Sequence, residues 1–222
     1  MNTHLSSSTL QFLRLLERNN NRPWFNENKE LYLQSRADVL QLVENLLDEM
    51  QDWNKDIAQT EASKALFRIY RDTRFSHDPR PYKTNFGAKI GFDKKSDKAG
   101  YYLHIEPGKS FVAGGIYQPS SAALKQIRQA LVMEPEVFRS IIENDNFRHY
   151  FRGLSVENQL KRIPPGFPKD HEWEHYLRLK QWVVFHPISN DLLMSDEAVP
   201  YILKVYTAIR PLNDFINNVL TF

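Results

Sequence analysis

The stretch YYLHIEPGKSFVAGGIY, residues 101–117, decides the fold that we expect for this chain. Its first six residues alternate between two sets of side chains, and this period of two is typical of a half-buried β-strand. Pro107 and Gly108 predict a turn, and residues 111–117 predict the strand that returns from it. The stretch therefore predicts an antiparallel hairpin with Tyr102, His104 and Glu106 on its polar face.

Further strands are predicted on both sides of this hairpin. The same alternation occurs at residues 67–75 and 84–92, and residues 182–186 predict one more strand. We therefore expect a mostly antiparallel sheet of four or more strands that packs against helices. Residues 93–100, which are rich in lysine and aspartate, predict a loop.

Helical patterns precede and follow the predicted strands. Apolar residues at helical spacing predict one long helix over residues 24–51, with Pro23 in its first turn. The later patterns predict a helix capped by Asp170 and a C-terminal helix over about residues 196–220. This order indicates an α+β fold in a single domain over residues 8–220, preceded by a flexible N-terminus over residues 1–7.

The composition excludes several functional classes. The 222 residues include 29 Lys and Arg against 27 Asp and Glu, and this balance argues against a nucleic-acid partner. No apolar run is long enough to span a membrane, so we expect no membrane association. The chain has no cysteine, which excludes disulfides and thiol nucleophiles and fits a soluble, cytoplasmic protein.

The polar face of the sheet is the predicted ligand site. Gly87 and Gly115 are small and would leave a hollow there, and the flanking positions carry basic and aromatic side chains. The arginine fork suits a carboxylate or a phosphate. The predicted ligand-binding residues are Arg68, Tyr70, Arg71, Asp72, Arg74, Lys83, Asn85 and Tyr102.

His104 and Glu106 are the predicted acid–base pair, because side chains two residues apart on a strand point the same way. We expect Arg68 and Arg74 to line one pocket with them. The alternative is an open sheet face on which these arginines form salt bridges with Asp72 or Glu106.

Residues 171–175 read HEWEH and match the zinc pattern H-E-x-x-H, for which His186 or Glu197 is the candidate third protein ligand. The motif follows Asp170 directly, so it would occupy the first turn of its helix, where the positive end of the helix disfavours a cation. We therefore predict no cofactor and keep zinc bound by His171 and His175 as the alternative.

Several segments carry a family resemblance. They are NNNRPWF at 19–25, LFRIYRDTRF at 66–75, PYKT at 81–84, GYYLHIEPG at 100–108, GG at 114–115 and LKRIPPGF at 160–167. In these segments the chain resembles the mostly bacterial family called domain of unknown function 2461, over about residues 8–220. The resemblance implies a single-domain soluble protein, and it supplies no activity, substrate or cofactor. Similar sequences often carry histidine at the position of Asn85 and lack the full H-E-x-x-H, which weakens both enzymatic hypotheses.

The sequence thus favours one function and leaves two alternatives open. We expect a small anionic or phosphorylated molecule to bind on the polar face of the sheet, with its turnover left open. The alternatives are a zinc-dependent hydrolase and a non-catalytic protein-interaction module. Whether the chain is an enzyme, and which proteins it contacts, stay open at this stage.

Overall fold

A computed structural model describes residues 4–53, 55–72, 74, 78–91 and 96–220. The fold is α+β, with one antiparallel sheet of four strands in the order β1-β2-β3-β4. The strands are β1 Phe86–Ile90, β2 Gly100–Ile105, β3 Phe111–Ile116 and β4 Trp182–Pro187. The helices are α1 Ser7–Arg18, α2 Arg22–Glu27, α3 Lys29–Met50, α4 Lys55–Ala58, α5 Ala62–Ala65, α6 Ser121–Met133, α7 Pro135–Ile142, α8 Asp145–Tyr150, α9 Glu174–Leu177, α10 Asn190–Leu193 and α11 Ala198–Val219.

The predicted hairpin is confirmed as β2 and β3, but the strand predicted over residues 67–75 is wrong in its described part. That segment pairs only through isolated antiparallel bridges, Leu66 with Ala88 and Tyr70 with Tyr82. Pro81, on the facing segment, has no N–H to donate, which interrupts a regular ladder. β4 is the fourth strand instead, and residues 73 and 75 lie outside the described residues.

The long helix predicted over residues 24–51 is present as two helices, α2 and α3, that are separated at Asn28. The Asn28 side chain donates a hydrogen bond to the Trp24 carbonyl at 2.9 Å, and its backbone φ of −108° leaves the helical range. The predicted C-terminal helix is confirmed as α11, which contains Pro211. Among the described residues, no helix is both long enough and apolar enough to cross a membrane.

The chain forms two compact units, and each is described by itself. The first comprises the described residues of Met1–Gly91, Tyr102–Val112 and Pro187–Leu203, and the second those of Phe92–Tyr101, Ala113–His186 and Lys204–Phe222. The single domain predicted over residues 8–220 stays a prediction.

In the first unit, α1 packs against α3 and is tied to it by one carboxylate. Asp38 of α3 accepts hydrogen bonds from the Ser6 backbone N–H at 2.9 Å and from the Thr9 hydroxyl at 2.6 Å. These two bonds tie the N-terminus of α1 to α3. Leu5, in the segment predicted to be flexible, is fully buried and donates its N–H to the Leu193 carbonyl at 2.7 Å.

In the second unit, side-chain amides fasten α11 to the start of β2. Asn213 donates to the Gly100 carbonyl at 3.1 Å, and Asn217 exchanges two hydrogen bonds with the Ala99 backbone at 2.8 and 3.0 Å. The fully buried Trp182 of β4 packs its ring against Phe138 at a centroid distance of 5.4 Å. Specific polar contacts thus complement the apolar packing of this unit.

Gly115 in β3 supplies a test of this packing. Its φ is +111°, and a Cβ at this position would overlap the Trp182 carbonyl of β4. We expect Gly115→Ala to destabilise the protein by roughly 3 kcal/mol or more, because backbone strain and overpacking add. The measurement is the free energy of unfolding in urea.

Gly108 is the matched control, because its φ is +75° and nothing would lie within 4 Å of an added Cβ. We expect Gly108→Ala to cost only about 1 kcal/mol, the strain of the left-handed conformation. Equal losses of stability in the two variants would contradict the close approach of β4 to Gly115.

Candidate functional site

A cleft with a volume of about 290 Å³ lies in the first compact unit. Its lining residues are Arg22 and Asn26 of α2 together with Tyr70, Arg71, Pro81 and Tyr82 of the two bridged segments. Tyrosine rings, guanidinium groups and one carboxamide therefore face the same space. This combination suits a small polar ligand with acceptor oxygens.

The cleft exists because α2 is held against the segment that contains Tyr82. The Asn20 carboxamide donates to the Tyr82 carbonyl at 3.0 Å and accepts from the Tyr82 N–H at 3.1 Å. Phe25 stacks on the Tyr82 ring at 4.0 Å between centroids. Asn21 begins α2 by accepting a hydrogen bond from the Trp24 N–H, so Arg22 is the first helical residue.

Two arginines at or near the cleft share a single carboxylate partner. Asp78 accepts hydrogen bonds from both Arg71, at 2.5 Å, and Arg80, at 2.6 Å. The hydrogen bond to Asp78 raises the pKa of Arg80, and the negative charge of Glu17 in α1 acts in the same direction. Arg22 is exposed and has no carboxylate partner among the described residues. The positive charge of Arg22 is therefore available to a ligand.

The pKa values of the cleft residues follow from these contacts. Hydrogen bonds from Arg80 and Arg71 hold the pKa of the Asp78 carboxyl well below its usual range. Burial raises the pKa of the Tyr82 hydroxyl, and the positive charge of Arg22 acts in the opposite direction. Asp78 is thus charged and Tyr82 neutral at pH 7, so Tyr82 can donate a hydrogen bond to an anion.

A second group of polar side chains, which we call the sheet-face cluster, consists of Asn85, Tyr102, His104, Glu106 and Lys109. His104 Nδ1 lies 3.2 Å from the Tyr102 hydroxyl and 3.4 Å from the Asn85 amide nitrogen. His104 Nε2 lies 3.1 Å from a Glu106 carboxylate oxygen, and Lys109 lies 3.6 Å from the other oxygen. These contacts fit the tautomer in which Nε2–H donates to Glu106 and Nδ1 accepts.

The hollow predicted over the glycines is filled at Gly87. A Cβ at this position would overlap the Tyr102 hydroxyl, so the missing side chain makes room for Tyr102 and not for a ligand. The His104 ring is stacked on Phe111 at 4.6 Å, with 11° between the ring planes. The sheet-face cluster is therefore packed closely on its own members.

The predicted acid–base pair is thus in contact, and both ring nitrogens of His104 already have partners. Only 15% of the His104 side chain and 22% of the Glu106 side chain are exposed. A general base needs a nitrogen within reach of the proton that it removes. In this arrangement, Glu106 orients His104, and Tyr102 and Asn85 occupy the nitrogen that a substrate would need.

The other predicted ligand-binding residues are distributed over the surface. Asp72 and Arg74 form an exposed pair with each other at 2.6 Å, as the salt-bridge alternative expects. The Arg74 guanidinium lowers the pKa of Asp72 to about 2. Lys83 donates to the Arg68 carbonyl at 3.0 Å and lies 5.4 Å from the centre of the Phe67 ring.

The predicted residues therefore fall into separate groups. Asn85, Tyr102, His104 and Glu106 come together in the sheet-face cluster, whereas Tyr70 and Arg71 line the cleft. The lining of the cleft includes none of Arg68, Arg74, His104 or Glu106.

The H-E-x-x-H segment differs from its predicted helical form, because α9 begins only at Glu174 and leaves His171 outside the helix. His171 Nδ1 accepts a hydrogen bond from the Trp173 N–H at 3.1 Å. Glu172 is paired with Arg139, and burial lowers the pKa of His175. Within the described part of the chain, no group of three His, Asp or Glu side chains is arranged to hold a metal ion.

Sequence reasoning missed Arg22, Asn26 and Tyr82 in the lining of the cleft. Arg22 stands in the NNNRPWF segment and Tyr82 in the PYKT segment, both of which carry the family resemblance. The available signal was an Asn-Arg-Pro helix start combined with a Pro-Tyr turn. Neither pattern reveals that the two segments meet, because they are about 60 residues apart in the chain.

Tyr102 supplies a test of the sheet-face cluster. Burial raises the pKa of its hydroxyl to about 12. Between pH 10 and pH 12 the unfolded chain then loses this proton while the folded chain retains it, so stability falls as the pH rises. The loss attributable to Tyr102 is on the order of 2 kcal/mol.

The measurement is the free energy of unfolding of the wild type and of Tyr102→Phe at several pH values from 8 to 12. We expect the variant to lose less stability across the alkaline range. Because Phe also removes the bond to His104, the slope with pH, and not the stability at pH 8, is the criterion. Parallel slopes would show that Tyr102 is solvated.

The comparisons with known proteins identify the family. A family model described as a conserved hypothetical protein, DUF2461, matches residues 8–215. Searches of curated proteins and of solved structures found no match. The matched residues include the cleft, the sheet-face cluster and nearly the whole chain, and they confirm the resemblance that the sequence segments carry. The chain therefore belongs to the DUF2461 family of conserved hypothetical proteins.

Proposed function

We propose that this chain binds a small molecule with a carboxylate or phosphate group in the cleft between α2 and the Tyr70–Tyr82 bridge. The observation that carries this proposal is the pair of arginines in the lining, Arg22 and Arg71. Arg22 has no carboxylate partner among the described residues, whereas Arg71 is anchored by Asp78. One guanidinium group is thus held in place, and the other has its charge available.

The chemistry of the lining favours an oxyanion with an attached polar or planar group. A guanidinium group offers parallel N–H donors that match two oxygens of a carboxylate or phosphate. Tyr70 is half exposed and offers a ring face, and Asn26 offers a carboxamide. A volume of about 290 Å³ is near the lower end for ligand sites, which favours a small ligand.

Binding is better supported than turnover. Each nitrogen of His104 is engaged within the sheet-face cluster, and Tyr102 fills the space over Gly87. Catalysis by His104 and Glu106 would require Tyr102 and Asn85 to release Nδ1. We therefore propose a binding function and assign the sheet-face cluster the role of holding β1 and β2 in place.

The proposed setting is the cytoplasm of a bacterial cell. The absence of cysteine is compatible with a reducing compartment, and the segments that resemble a mostly bacterial family support this setting. Small carboxylated and phosphorylated metabolites are abundant there.

The proposal is tested by thermal unfolding in the presence of inorganic phosphate, simple phosphomonoesters and small dicarboxylates at matched ionic strength. A ligand at about 100 times its Kd stabilises the folded state by about 2.7 kcal/mol. For a chain of this size we expect Tm to rise by about 5–10 °C. Arg22→Met should weaken the binding of the active compound by about tenfold or more, because a charge-assisted hydrogen bond is lost.

Arg18→Met is the matched control, because Arg18 is an exposed arginine of the same unit that does not line the cleft. It should bind the active compound as the wild type does. A panel without effect, or equal affinity in both variants, would overturn the proposal and favour a protein-interaction role.

The zinc alternative has a separate test. We expect equimolar zinc and added chelator to leave Tm unchanged, because Glu172 is paired with Arg139 and His171 accepts a backbone hydrogen bond. Isothermal calorimetry with zinc checks this expectation. Stoichiometric zinc binding that His171→Ala abolishes would instead establish the zinc site.

A further inference from the structure

Arg128, on α6 in the second unit, is a buried cation that the cleft does not involve. Only 7% of its surface is exposed. Its Nη2 donates to the Leu179 carbonyl at 2.8 Å, and its Nε is buried without an acceptor from the described residues. The guanidinium group is therefore only partly satisfied.

No negative charge compensates Arg128 within the described part of the chain. It takes part in no ion pair there, and burial is the one cause that lowers its pKa. Arginine stays protonated in proteins, so it cannot escape the cost of burial by losing its proton. Burial of a charge without a counter-charge is strongly unfavourable, which makes an external counter-charge favourable.

Among the described residues, three other nitrogen donors that lie close to Leu179 in the sequence are also buried without acceptors. Arg178 immediately precedes Leu179, and its Nε is buried without a partner, although Glu174 lies 3.7 Å from its Nη2. Trp182, three residues after Leu179, has a buried indole N–H without an acceptor and is itself fully buried. Trp173, in the turn before α9, has the same kind of unsatisfied indole N–H.

Each of these four groups is a nitrogen that donates a hydrogen bond. Buried donors without acceptors are rare in folded proteins, and a bound water or ion is one explanation for them. A water molecule can accept from one or two donors, but it cannot neutralise a guanidinium group. An oxyanion supplies several acceptor oxygens and the missing negative charge together.

We propose that Arg128 holds an oxyanion, inorganic phosphate or the phosphate of a small ester, where α6 meets the Arg178–Trp182 segment. The residues that carry this proposal belong to the second unit, and those of the cleft belong to the first. The oxyanion completes the hydrogen bonds of the guanidinium group and offsets its charge. The inference is therefore independent of the cleft.

The test uses the full chain labelled with ¹⁵N and titrated with inorganic phosphate at constant ionic strength. The chain has four tryptophans, so its indole N–H signals can be assigned by single Trp→Phe variants. We expect saturable shifts of the Trp173 and Trp182 indole signals and of the Arg128 Nε–H signal. A second titration with a simple phosphomonoester shows which of the two sources binds more tightly.

Arg128→Met tests the assignment, because it keeps the length of the side chain and removes the charge. We expect this variant to lose the phosphate-dependent shifts of the indole signals. Arg152→Met is the matched control, because Arg152 is an exposed arginine of the same unit, and it should retain these shifts. Arg128→Lys, which keeps the charge but not the fork, should bind phosphate at least tenfold more weakly.

Three results would overturn the inference: no indole shift in the wild type, unchanged shifts in Arg128→Met, or an equal loss in Arg152→Met. The indole shifts should persist in Arg22→Met, because that variant alters only the cleft. A rise in Tm that Arg22→Met removes, together with no indole shift in the wild type, would support the cleft and refute the Arg128 site. The wild-type titration needs no Arg128 variant, so an Arg128 variant that fails to fold leaves the inference testable.

Discussion

The exchange of two hydrogen bonds between Asn20 and Tyr82 is the contact on which the cleft depends. The Asn20 carboxamide satisfies both the N–H and the carbonyl of Tyr82, as a neighbouring strand would. The Asn20 side chain matters because the described segment around Pro81 pairs with residues 66–70 only through isolated β-bridges and not through a regular β-ladder. The Phe25 ring then stacks on Tyr82 and sets the position of α2, and Arg22 at its first residue follows. The two Asn20–Tyr82 hydrogen bonds and the Phe25–Tyr82 stack thus place Arg22 in the same cleft as Arg71.

The sheet-face cluster and the cleft, both in the first unit, differ in whether their polar and charged side chains already have partners. In the sheet-face cluster, His104 has a partner on each nitrogen and a ring stacked against it, so the group satisfies itself. Such a network rigidifies a sheet, because every buried polar atom has its partner. At the cleft, Asp78 serves two arginines, and Arg22 has no carboxylate partner in the part of the chain that the structure describes. Unused charge beside an open volume, and not the mere presence of histidine and glutamate, therefore determines where a ligand is expected.

Much of the fold and only part of the site were predictable from the sequence. The period-two pattern and the turn at Pro107 predicted β2 and β3, because both signals are local. Asn28 separates α2 from α3 through a side-chain hydrogen bond that competes with the helical one, which hydrophobic periodicity does not detect. The contact of His104 with Glu106 followed from strand geometry alone. The cleft could not be predicted, because it forms where two segments distant in the sequence meet. Neither segment has a hydrophobic periodicity that reveals this contact.

Arg128 illustrates the same limit for charge. It lies on the buried side of α6, one residue after Ile127 and three before Leu131, where periodicity predicts an apolar side chain. A charge at such a position conflicts with the pattern, and such conflicts concentrate at functional sites. The sequence can reveal the conflict but not whether a carboxylate from elsewhere in the fold resolves it. The fold brings Arg128 to a carbonyl and, among the described residues, to no carboxylate. Because folding leaves the positive charge of Arg128 without a carboxylate partner among the described residues, we expect the binding of an anion to be energetically favourable in this unit.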